Sequence, residues 1–541
     1  MNSEKSAAVQ PSLLAALFPV VVLIALLGVN VYLYGADSSY GPNQIALIVA
    51  AAMAGIVGWL GRVPIQEMLE GIKKSIGSTL VAMLILLLIG SLAGTWMMSG
   101  IVPAMIYYGL DVLNPKIFLV ATTVVCAIVS VVTGSSWSTV ATVGIALLGI
   151  GSALGVNEAM AAGAIISGAY FGDKISPLSD TTNLAAAMAG SDLITHIKYM
   201  LWTTVPSFVI ALGLFLMIGL SSEPELASSG TEALKSQIAA NFNLNPFIFV
   251  VPILVLVMVF MKIDAVVALF VGAVAGGIIA VAFQPAMITT IAGLDEIEIA
   301  AADGSNETTT QPEPYAKRAY VAFINSMAFE TRAISSDAQD SLEKEEGVLV
   351  EKMAAEGYEE NEEDEARLTD VRGQIAAAKL LKGKGMVGML NTIWLIITAM
   401  CFGGVMEACG LLKRLTDPLV NFAQSTGSLV ATTAGSCVFV NLTASDQYLA
   451  IVVPGRMFRE TYKERGLAPQ NLSRTLEDAG TVTSVLIPWN TCGAAQQAVL
   501  GVSVFLFAPY CFFNLISPLM TMAYGFLGFQ IAKLKETKAD K

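Results

Sequence analysis

The 541-residue sequence is poor in charged residues. Asp, Glu, Lys and Arg together make up only 13% of the chain, whereas 55% of its residues are hydrophobic. A soluble globular protein carries about 25% charged residues. This scarcity of charge excludes an ordinary soluble domain and indicates an all-α polytopic membrane protein surrounded by lipid.

The residue types that build metal and redox sites are scarce as well. Histidine occurs once, as His196, and the six cysteines form no closely spaced CxxC pair. We therefore expect neither a metal cluster nor a disulfide framework. A Walker phosphate loop, a dinucleotide fingerprint and a nucleophile beside a base are also missing. These absences argue against an ATP-driven pump and against an enzyme, and we expect no cofactor and no nucleic-acid partner.

Long apolar runs fill most of the chain, and about 20 apolar residues cross a bilayer. The fourth and ninth predicted spans are interrupted by polar residues. The ten predicted spans lie near residues 12–34, 43–61, 77–98, 158–190, 199–220, 245–261, 264–284, 386–409, 471–499 and 502–529. Two further apolar regions, 117–152 and 426–455, are broken in the middle, and we interpret them as re-entrant hairpins.

The positions of Lys and Arg predict the sidedness of these spans. Basic residues concentrate in the loops of one side, whereas the short loops of the other side hold only Lys116 and Lys235. Because cytoplasmic loops carry the excess of Lys and Arg, both termini are expected in the cytoplasm, with the protein in a bacterial inner membrane. This bias holds only if both broken regions are hairpins.

The two halves of the sequence resemble each other. Residues 94–100 (GTWMMSG) align with 404–410 (GVMEACG), Gly134 with Gly435, and Gly172 with Gly480, at offsets of roughly 300–310 residues. Given the predicted sidedness, the matched spans run in opposite directions. The sequence therefore predicts an inverted repeat, which is a common plan of secondary transporters.

Three parts follow from this pattern. Residues 1–285 form a first membrane half, 286–385 an acidic insert and 386–541 a second membrane half. Residues 286–384 carry 21 Asp and Glu against 10 Lys and Arg, so they account for −11 of the net charge of −13. Segments 315–355 and 362–383 are rich in helix-forming residues, which predicts an extramembrane helical hairpin. A solvated acidic linker remains an equal alternative.

The most informative stretch is GAYFGDKISPLSDTTN at residues 168–183. It places Asp173, Lys174 and Asp180 inside an otherwise apolar span, where each charge costs about 2.5–3.5 kcal/mol and usually faces an ion path. Pro177 and Gly172 disfavour a regular helix there, and unwound backbone at that depth lines a cavity. The combination predicts a cation-coupled transporter.

In the first half, Asp180 is the better cation candidate, because a buried carboxylate can hold either a proton or a sodium ion. Asp173 and Lys174 could instead neutralise each other as a structural pair. Hydroxyl groups beside Asp180 and at the first hairpin can replace the water shell of a sodium ion, although Ser and Thr also pack helices together. These polar candidates are Ser135, Ser136, Thr139, Ser176, Thr181, Thr182 and Asn183.

In the second half, a polar window at the second hairpin and a second interrupted span supply comparable groups. Glu477 and Asp478 are alternatively a solvated helix end near Arg474, and Glu407 is interpreted as an exposed helix end. The remaining candidates are Asn441, Thr443, Ser445, Asp446, Thr481, Thr483, Asn490 and Thr491. Sodium itself is expected on Asp180, Ser135, Asn441 and Asp446.

These stretches resemble the NhaC family of sodium/proton antiporters. The resemblance rests on residues 168–185, on DQYLAIVVPGRMFR at 446–459, on LAPQNLSRTLEDAGTVTS at 467–484 and on IPWNTCGA at 487–494. It implies a homodimer with scaffold and transport domains, two re-entrant hairpins and elevator-like motion. The family signature, as the resemblance implies, falls on Asp173, Ser176, Asp180, Thr181, Thr182, Asn183, Asp446, Glu477, Asp478, Asn490 and Thr491.

The functional expectation is a secondary active transporter that exchanges sodium for protons by alternating access. The alternative is a sodium- or proton-coupled transporter of a small carboxylate, of the malate/lactate type, or of an amino acid. The signature is shared by these activities, so it specifies the mechanism better than the substrate. A channel is disfavoured by the inverted repeat, because paired half-sites around one position suit alternating access.

Overall fold

The computed structural model describes residues 11–221, 228–261, 263–293, 297–300, 308–311, 313–334, 336–354, 361–422 and 424–534. Helices dominate this part of the chain, which confirms the all-α polytopic fold. Nine of its helices are long and apolar enough to cross a membrane, or up to eleven if each strongly bent helix pair forms one span.

In its described residues, the first membrane half contains fifteen α-helices. Their bounds are α1 (Leu13–Tyr34), α2 (Pro42–Leu60), α3 (Ile65–Ser78), α4 (Leu80–Met98), α5 (Ile101–Val112), α6 (Pro115–Thr133), α7 (Ser136–Thr139), α8 (Ile145–Ala153), α9 (Glu158–Ile175), α10 (Asp180–Ala189), α11 (Leu193–Ser221), α12 (Ser228–Asn241), α13 (Val250–Phe260), α14 (Ala265–Phe283) and α15 (Pro285–Ala292). A π-helical turn, Val140–Gly144, joins α7 to α8 into one continuous arm.

The part of the insert that the structure describes contains two small antiparallel sheets and three helices. Its elements are β1 (Ile297–Ala300) paired with β2 (Thr308–Gln311), α16 (Tyr315–Ala328), β3 (Thr331–Arg332) paired with β4 (Lys382–Gly383), α17 (Ser336–Ala354) and α18 (Glu362–Leu380). Helix α16 packs closely on α4, where Ser91 Oγ donates to Met327 O at 3.0 Å. On α17 and α18, Arg367 pairs with Glu345 at 2.7 Å. The extramembrane position of the whole insert stays a prediction.

The second membrane half contains α19 (Val387–Ala408), α20 (Leu411–Thr416), α21 (Thr426–Ala444), α22 (Gln447–Glu464), α23 (Pro469–Leu476), α24 (Thr491–Leu500), α25 (Val504–Phe507) and α26 (Phe512–Leu527). A π-helical turn, Glu477–Thr481, extends α23, and Ser484–Leu486 adds a short 3₁₀ turn. The structure thus breaks both interrupted spans near their predicted positions.

From α6 onward, the two halves repeat each other with an offset of 311 residues. Helix α6 corresponds to α21, and α10 to α24, with identical lengths of 19 and 10 residues. The turns agree as well, because Gly134 (φ 67°) corresponds to Ser445 (φ 60°). The sequence alignment of Gly134 with Gly435 and of Gly172 with Gly480 was therefore out of register. Small residues recur throughout membrane helices and align by chance.

Each hairpin packs directly on the broken helix of its own repeat. Side chains at Gly168 and Gly172 on α9 would collide with the backbone of α6 at Thr123 and Ala127. Ser130 Oγ on α6 donates to Ala169 O at 2.6 Å. This GxxxG contact fixes α6 on α9. Both arms of the first hairpin are long enough to cross a membrane, so its re-entrant course stays a prediction.

Candidate functional site

Four helices begin at the breaks and hairpin turns, and each begins with a side-chain N-cap. Ser135 and Ser179 cap α7 and α10 by accepting from Ser138 N (3.2 Å) and Thr182 N (3.4 Å). Asp446 and Asn490 cap α22 and α24 by accepting from Leu449 N (2.9 Å) and Cys492 N (3.1 Å). Helix N-termini carry partial positive charge. All four of these N-termini are therefore occupied by side chains of this protein.

Asp173 lies in the last turn of α9 and points at the first hairpin. Its Oδ2 accepts from the Ser136 amide at 3.0 Å and from Ser136 Oγ at 2.7 Å. The residue is only 7% exposed, and among the described residues its Oδ1 has no hydrogen-bond partner. The carboxylate therefore completes the cap of α7 with one oxygen and leaves the other available.

Glu477 lies in the π-helical turn of the second half, and it contacts the first half. Its Oε1 accepts from Thr181 Oγ1 at 3.1 Å, and Thr181 in turn lies 3.0 Å from Ser179 Oγ. Glu477 is fully buried, and within the described structure its Oε2 has no partner. Because π-turns inside helices often mark functional positions, we regard Glu477, which reaches the start of α10, as a candidate ion-binding group.

Lys174 forms an ion pair with Asp478, and both side chains are fully buried. Ser517 on α26 joins them, since it accepts from Lys174 Nζ at 2.8 Å and donates to Asp478 Oδ1 at 3.3 Å. The suggested Asp173–Lys174 pair is therefore wrong. Neighbouring residues on a helix do not face each other, so Asp173 meets the hairpin while Lys174 meets the other repeat.

Asn441 is the hub of the polar window in the second hairpin. Its amide nitrogen donates to Gly480 O at 2.6 Å and to Thr483 Oγ1 at 3.1 Å. Its amide oxygen accepts from Asn490 Nδ2 at 3.1 Å. These bonds hold the hairpin against the broken helix, and they bring together three of the predicted site residues. Whether Asn441 also contacts sodium stays a prediction.

Asp180 is the largest departure from expectation. A carboxylate that binds either a proton or sodium was expected to be buried, but the side chain of Asp180 is exposed. Its Oδ2 accepts from Tyr448 Oη at 2.5 Å, which links the start of α10 to the second hairpin. As the first residue of α10, Asp180 projects away from the core, whereas Thr181 and Thr182 turn inward. Burial therefore applies to Asp173, Glu477 and Asp478 instead, and Asp180 lies on the surface one residue from Thr181.

Most of the other predicted polar residues bond to nearby backbone or to adjacent side chains, whereas the buried hydroxyls of Ser445 and Thr481 have no partner among the described residues. Thr182 Oγ1 donates to Lys174 O at 2.9 Å, and Thr139 Oγ1 donates to Ser135 O at 2.9 Å. The same holds for Ser176, Asn183, Thr443 and Thr491. These residues shape the breaks and the hairpins around the buried carboxylates.

The solvated-helix-end interpretation of Glu477 and Asp478 is also wrong, because both side chains are 0% exposed. Arg474 is buried too, and its Nη1 donates to Gln530 O at 3.0 Å while the guanidinium lies 4.7 Å from the Tyr199 ring centre. It is thus held by the C-terminal segment. Glu407, by contrast, pairs with Lys74 at the surface, as expected.

Sequence reasoning missed Ser517 and Tyr448, which carry no local signal because their partners lie far away in sequence. Glu477 was underrated, although an acidic pair inside an apolar run was a readable signal. No three His, Cys, Asp or Glu side chains in the described ranges converge on one metal position. A cation here would therefore need hydroxyl or carbonyl oxygens besides carboxylate.

The family model for the Na⁺/H⁺ antiporter family matches residues 168–301 and 368–529. The chain belongs to this family. The first match begins at Gly168, where α9 packs on α6, and together the matches include Asp173, Lys174, Glu477 and Asp478. The antiporter family assignment agrees with the resemblance carried by the motifs.

Three relatives extend the comparison. The chain is 34% identical over 502 residues to the Na⁺/H⁺ antiporter NhaC of Alkalihalophilus pseudofirmus, covering 92% of this chain and 93% of the relative. It is 31% identical to the malate-2H⁺/Na⁺-lactate antiporter of Bacillus subtilis (92% and 93%). It is 30% identical to the arginine/ornithine antiporter ArcD of Halobacterium salinarum (96% and 93%).

Proposed function

We propose that this protein exchanges sodium ions for protons across the bacterial cytoplasmic membrane by alternating access, with no cofactor beyond the transported ions. The binding centre consists of Asp173 and Glu477 with the hydroxyls of Ser136 and Thr181. Asp180 and Tyr448 form its entrance. Similarity to the NhaC antiporter along nearly the whole chain supports this assignment.

The observation that carries the proposal is the combination of buried carboxylates and filled helix N-termini. An organic anion would need free amides at those N-termini. Here Ser135, Ser179, Asp446 and Asn490 each already accept from one of those amides, and the Asp173 carboxylate accepts from a second amide at α7. The centre is therefore anionic, and it favours a cation.

The same carboxylates make exchange chemically simple. Asp173, Glu477 and Asp478 each keep one buried oxygen without a partner in the described part of the chain, but Asp478 also pairs with Lys174. A buried, ionised carboxylate with an unbonded oxygen has a high desolvation free energy, and binding of a proton or a sodium ion reduces it. Since one site takes either ion but not both, binding of sodium releases a proton.

Alternation is proposed to move each hairpin together with its broken helix. The close backbone contact of α6 with α9 supports rigid units of this kind. Helices α4 and α19, which carry none of the buried charges, would belong to the static scaffold. The homodimer and the cytoplasmic position of both termini remain part of this proposal, supported by the family resemblance and by the Lys and Arg bias.

The test is flux in proteoliposomes that contain the purified protein and a trapped pH dye. A sodium gradient without any organic solute should move protons, and Asp173→Asn should abolish that movement while the protein stays monodisperse. Lys116→Met, which changes an exposed lysine on α6, is the matched control. Proton movement that persists in Asp173→Asn would contradict the assigned centre.

A second candidate function is exchange of an organic solute, which the names of two relatives favour. A cationic amino acid suits the anionic centre better than a dicarboxylate does, because the helix N-termini are filled. If a sodium gradient alone moves no protons in wild-type vesicles, then labelled arginine, ornithine, malate and lactate should be tested under the same gradient. Solute-dependent flux would establish this alternative.

A further inference from the structure

The buried charges divide into two kinds. Asp478 has a fixed cation, Lys174, and the pair is held by Ser517 and flanked by the Phe513 ring, whose centre lies 5.5 Å from Lys174 Nζ. Asp173, Glu477 and the 3% exposed Asp446 have only neutral hydroxyl and amide donors among the described residues. Three buried carboxylates of the membrane halves therefore have no fixed cation there, and Asp478 has one.

We propose that Lys174 is a fixed internal counter-ion that holds Asp478 outside the exchange reaction. Exchange then rests on Asp173 and Glu477, and Asp446 is the remaining buried carboxylate of the membrane halves without a fixed counter-ion among the described residues. This inference depends on the proposed sodium/proton exchange, and it adds which buried carboxylate does not take part. Lys174 and Ser517 act as positioning residues, because they act through Asp478 and not on the transported ion.

The geometry supports a permanent pair. Lys174 and Asp478 are both 0% exposed, so neither can regain water without a rearrangement of α26. Ser517 donates to the same oxygen that receives the lysine, which fixes the direction of the ammonium. A sodium ion competing for Asp478 would have to leave that ammonium buried and unpaired, which is far costlier than binding at a carboxylate without a counter-ion.

Other charges nearby do not replace Lys174. The guanidinium of Arg474 donates to Gln530 O and lies over the Tyr199 ring, so it binds the C-terminal segment and not Asp478. His196 is buried on α11, and neither of its ring nitrogens has a hydrogen-bond partner in the part of the chain that the structure describes. Lys174 is thus the cation bonded to Asp478.

The proposal predicts a specific pattern of rescue. Lys174→Met leaves Asp478 as an uncompensated buried charge, and sodium-driven proton flux should fall by at least about tenfold. The double variant Lys174→Met with Asp478→Asn removes both charges at once, and flux should return to within about threefold of wild type, because neutral replacement of a buried pair is often tolerated. Adding Lys174→Met to Asp173→Asn should rescue nothing.

The experiment measures flux at pH 6.5 to 9.5, together with the thermal shift that sodium produces in detergent. The double variant should keep the pH profile and the sodium-induced stabilisation of wild type. Ser517→Ala weakens the pair without removing a charge, so a milder loss of flux, about threefold, is expected with folding preserved. If Lys174→Met does not fold, the double variant and Ser517→Ala still decide the question.

Three outcomes overturn the inference. These are a double variant as inactive as Asp173→Asn, a double variant whose pH profile shifts, and Lys174→Met with wild-type flux. Wild-type vesicles are measured first, since absent sodium-driven proton flux there contradicts the proposed function itself. Active wild type with an inactive, folded double variant contradicts only the role given to Lys174.

Discussion

The two repeats have similar backbone conformations, but their charged side chains lie at different positions. In the first, the hairpin helix α7 begins at neutral Ser135 and receives the Asp173 carboxylate from α9. In the second, α22 begins at Asp446, whose own carboxylate is the cap. Nearly equal helices therefore present different chemistry at equivalent positions. The proposed ion centre uses this asymmetry, because its two carboxylates, Asp173 and Glu477, come from different repeats.

The broken helices show the same contrast. Helix α9 is regular up to its last turn, whereas its counterpart α23 passes into the π-helical turn that carries Glu477 and Asp478. A π-turn adds a residue per turn and rotates the side chains that follow. Glu477 and Asp478 begin this turn, and they reach Thr181 and Lys174, both in the first repeat.

The largest expected effect comes from neutralising the acid of the second repeat. Glu477→Gln keeps an oxygen for Thr181 but removes the titratable group, so sodium-driven proton flux should fall by about 100-fold or more. Vesicle flux with the pH dye measures it, and the protein should remain monodisperse. Glu464→Gln, on the exposed end of α22, is the matched control. Retained flux would remove Glu477 from the binding centre.

A smaller effect is expected where the two repeats meet at the surface. Asp180→Asn removes an exposed charge at the entrance, so apparent sodium affinity should weaken by about tenfold while the maximal rate changes little. Tyr448→Phe, which removes only the hydroxyl bonded to Asp180, should change affinity less. Flux measured against sodium concentration separates the two parameters. A collapse of the maximal rate would instead place Asp180 inside the centre.

Exchanging caps between repeats tests whether the asymmetry at the hairpins matters. Asp446→Ser gives α22 the cap of α7, and Ser and Asp cap helices about equally well, so stability should change by less than about 0.5 kcal/mol. Asp446→Ala should cost about 1 kcal/mol. Thermal unfolding in detergent compares them. If flux is lost in Asp446→Ser although stability is unchanged, Asp446 contributes its charge to transport.

The smallest effect concerns the far ends of α10 and α24. Both end at a glycine with φ 78°, and each glycine faces a cation, Arg459 at Gly190 and Lys384 at Gly501. Cations at a helix C-terminus are favourable, and Lys384 Nζ donates to Ala498 O at 2.8 Å. Each of these two helix C-termini thus has a cation nearby. Arg459 comes from the hairpin helix α22, and Lys384 comes from the insert.

This last contact carries a pH dependence. Burial, aided by repulsion from Lys382, lowers the pKa of Lys384 to about 8. In the unfolded chain, this amine stays protonated up to about pH 10.4. Between about pH 8 and that value the unfolded state therefore binds more protons than the folded state, and the free energy of unfolding rises with pH. The difference in thermal midpoint, wild type minus Lys384→Met, should therefore increase from pH 8 to 10. The same difference measured for Lys116→Met is the control.

The sequence predicted the architecture well and the pairing of charges poorly. Apolar length located the spans, and the Gly, Pro and hydroxyl residues of 168–183 located the break. Which acids are buried depends on the direction in which each residue leaves its helix. Asp180 begins α10 and faces out, whereas Asp173 and Glu477 face in. One-residue differences of this kind depend on cap and π-turn geometry, which local sequence does not specify.

Ion pairs between residues far apart in the sequence could not be predicted, for a related reason. Lys174 was assigned to its neighbour Asp173 because proximity in sequence was the only distance available. The true partner, Asp478, depends on the register between repeats, and chance matches of small residues gave that register incorrectly. Ser517 was unpredictable for the same reason, since nothing in α26 marks it apart from its contacts.

The 304 residues between Lys174 and Asp478 also have a consequence for biosynthesis. At about 5–20 residues per second, a ribosome needs roughly 15 to 60 seconds to reach Asp478 after Lys174 has emerged. During that interval the first repeat carries an ammonium without its partner, in a segment destined for the bilayer. The nascent half must therefore be held by the insertion machinery or keep α9 near the aqueous face. Premature termination before residue 478 should yield a fragment that is rapidly degraded.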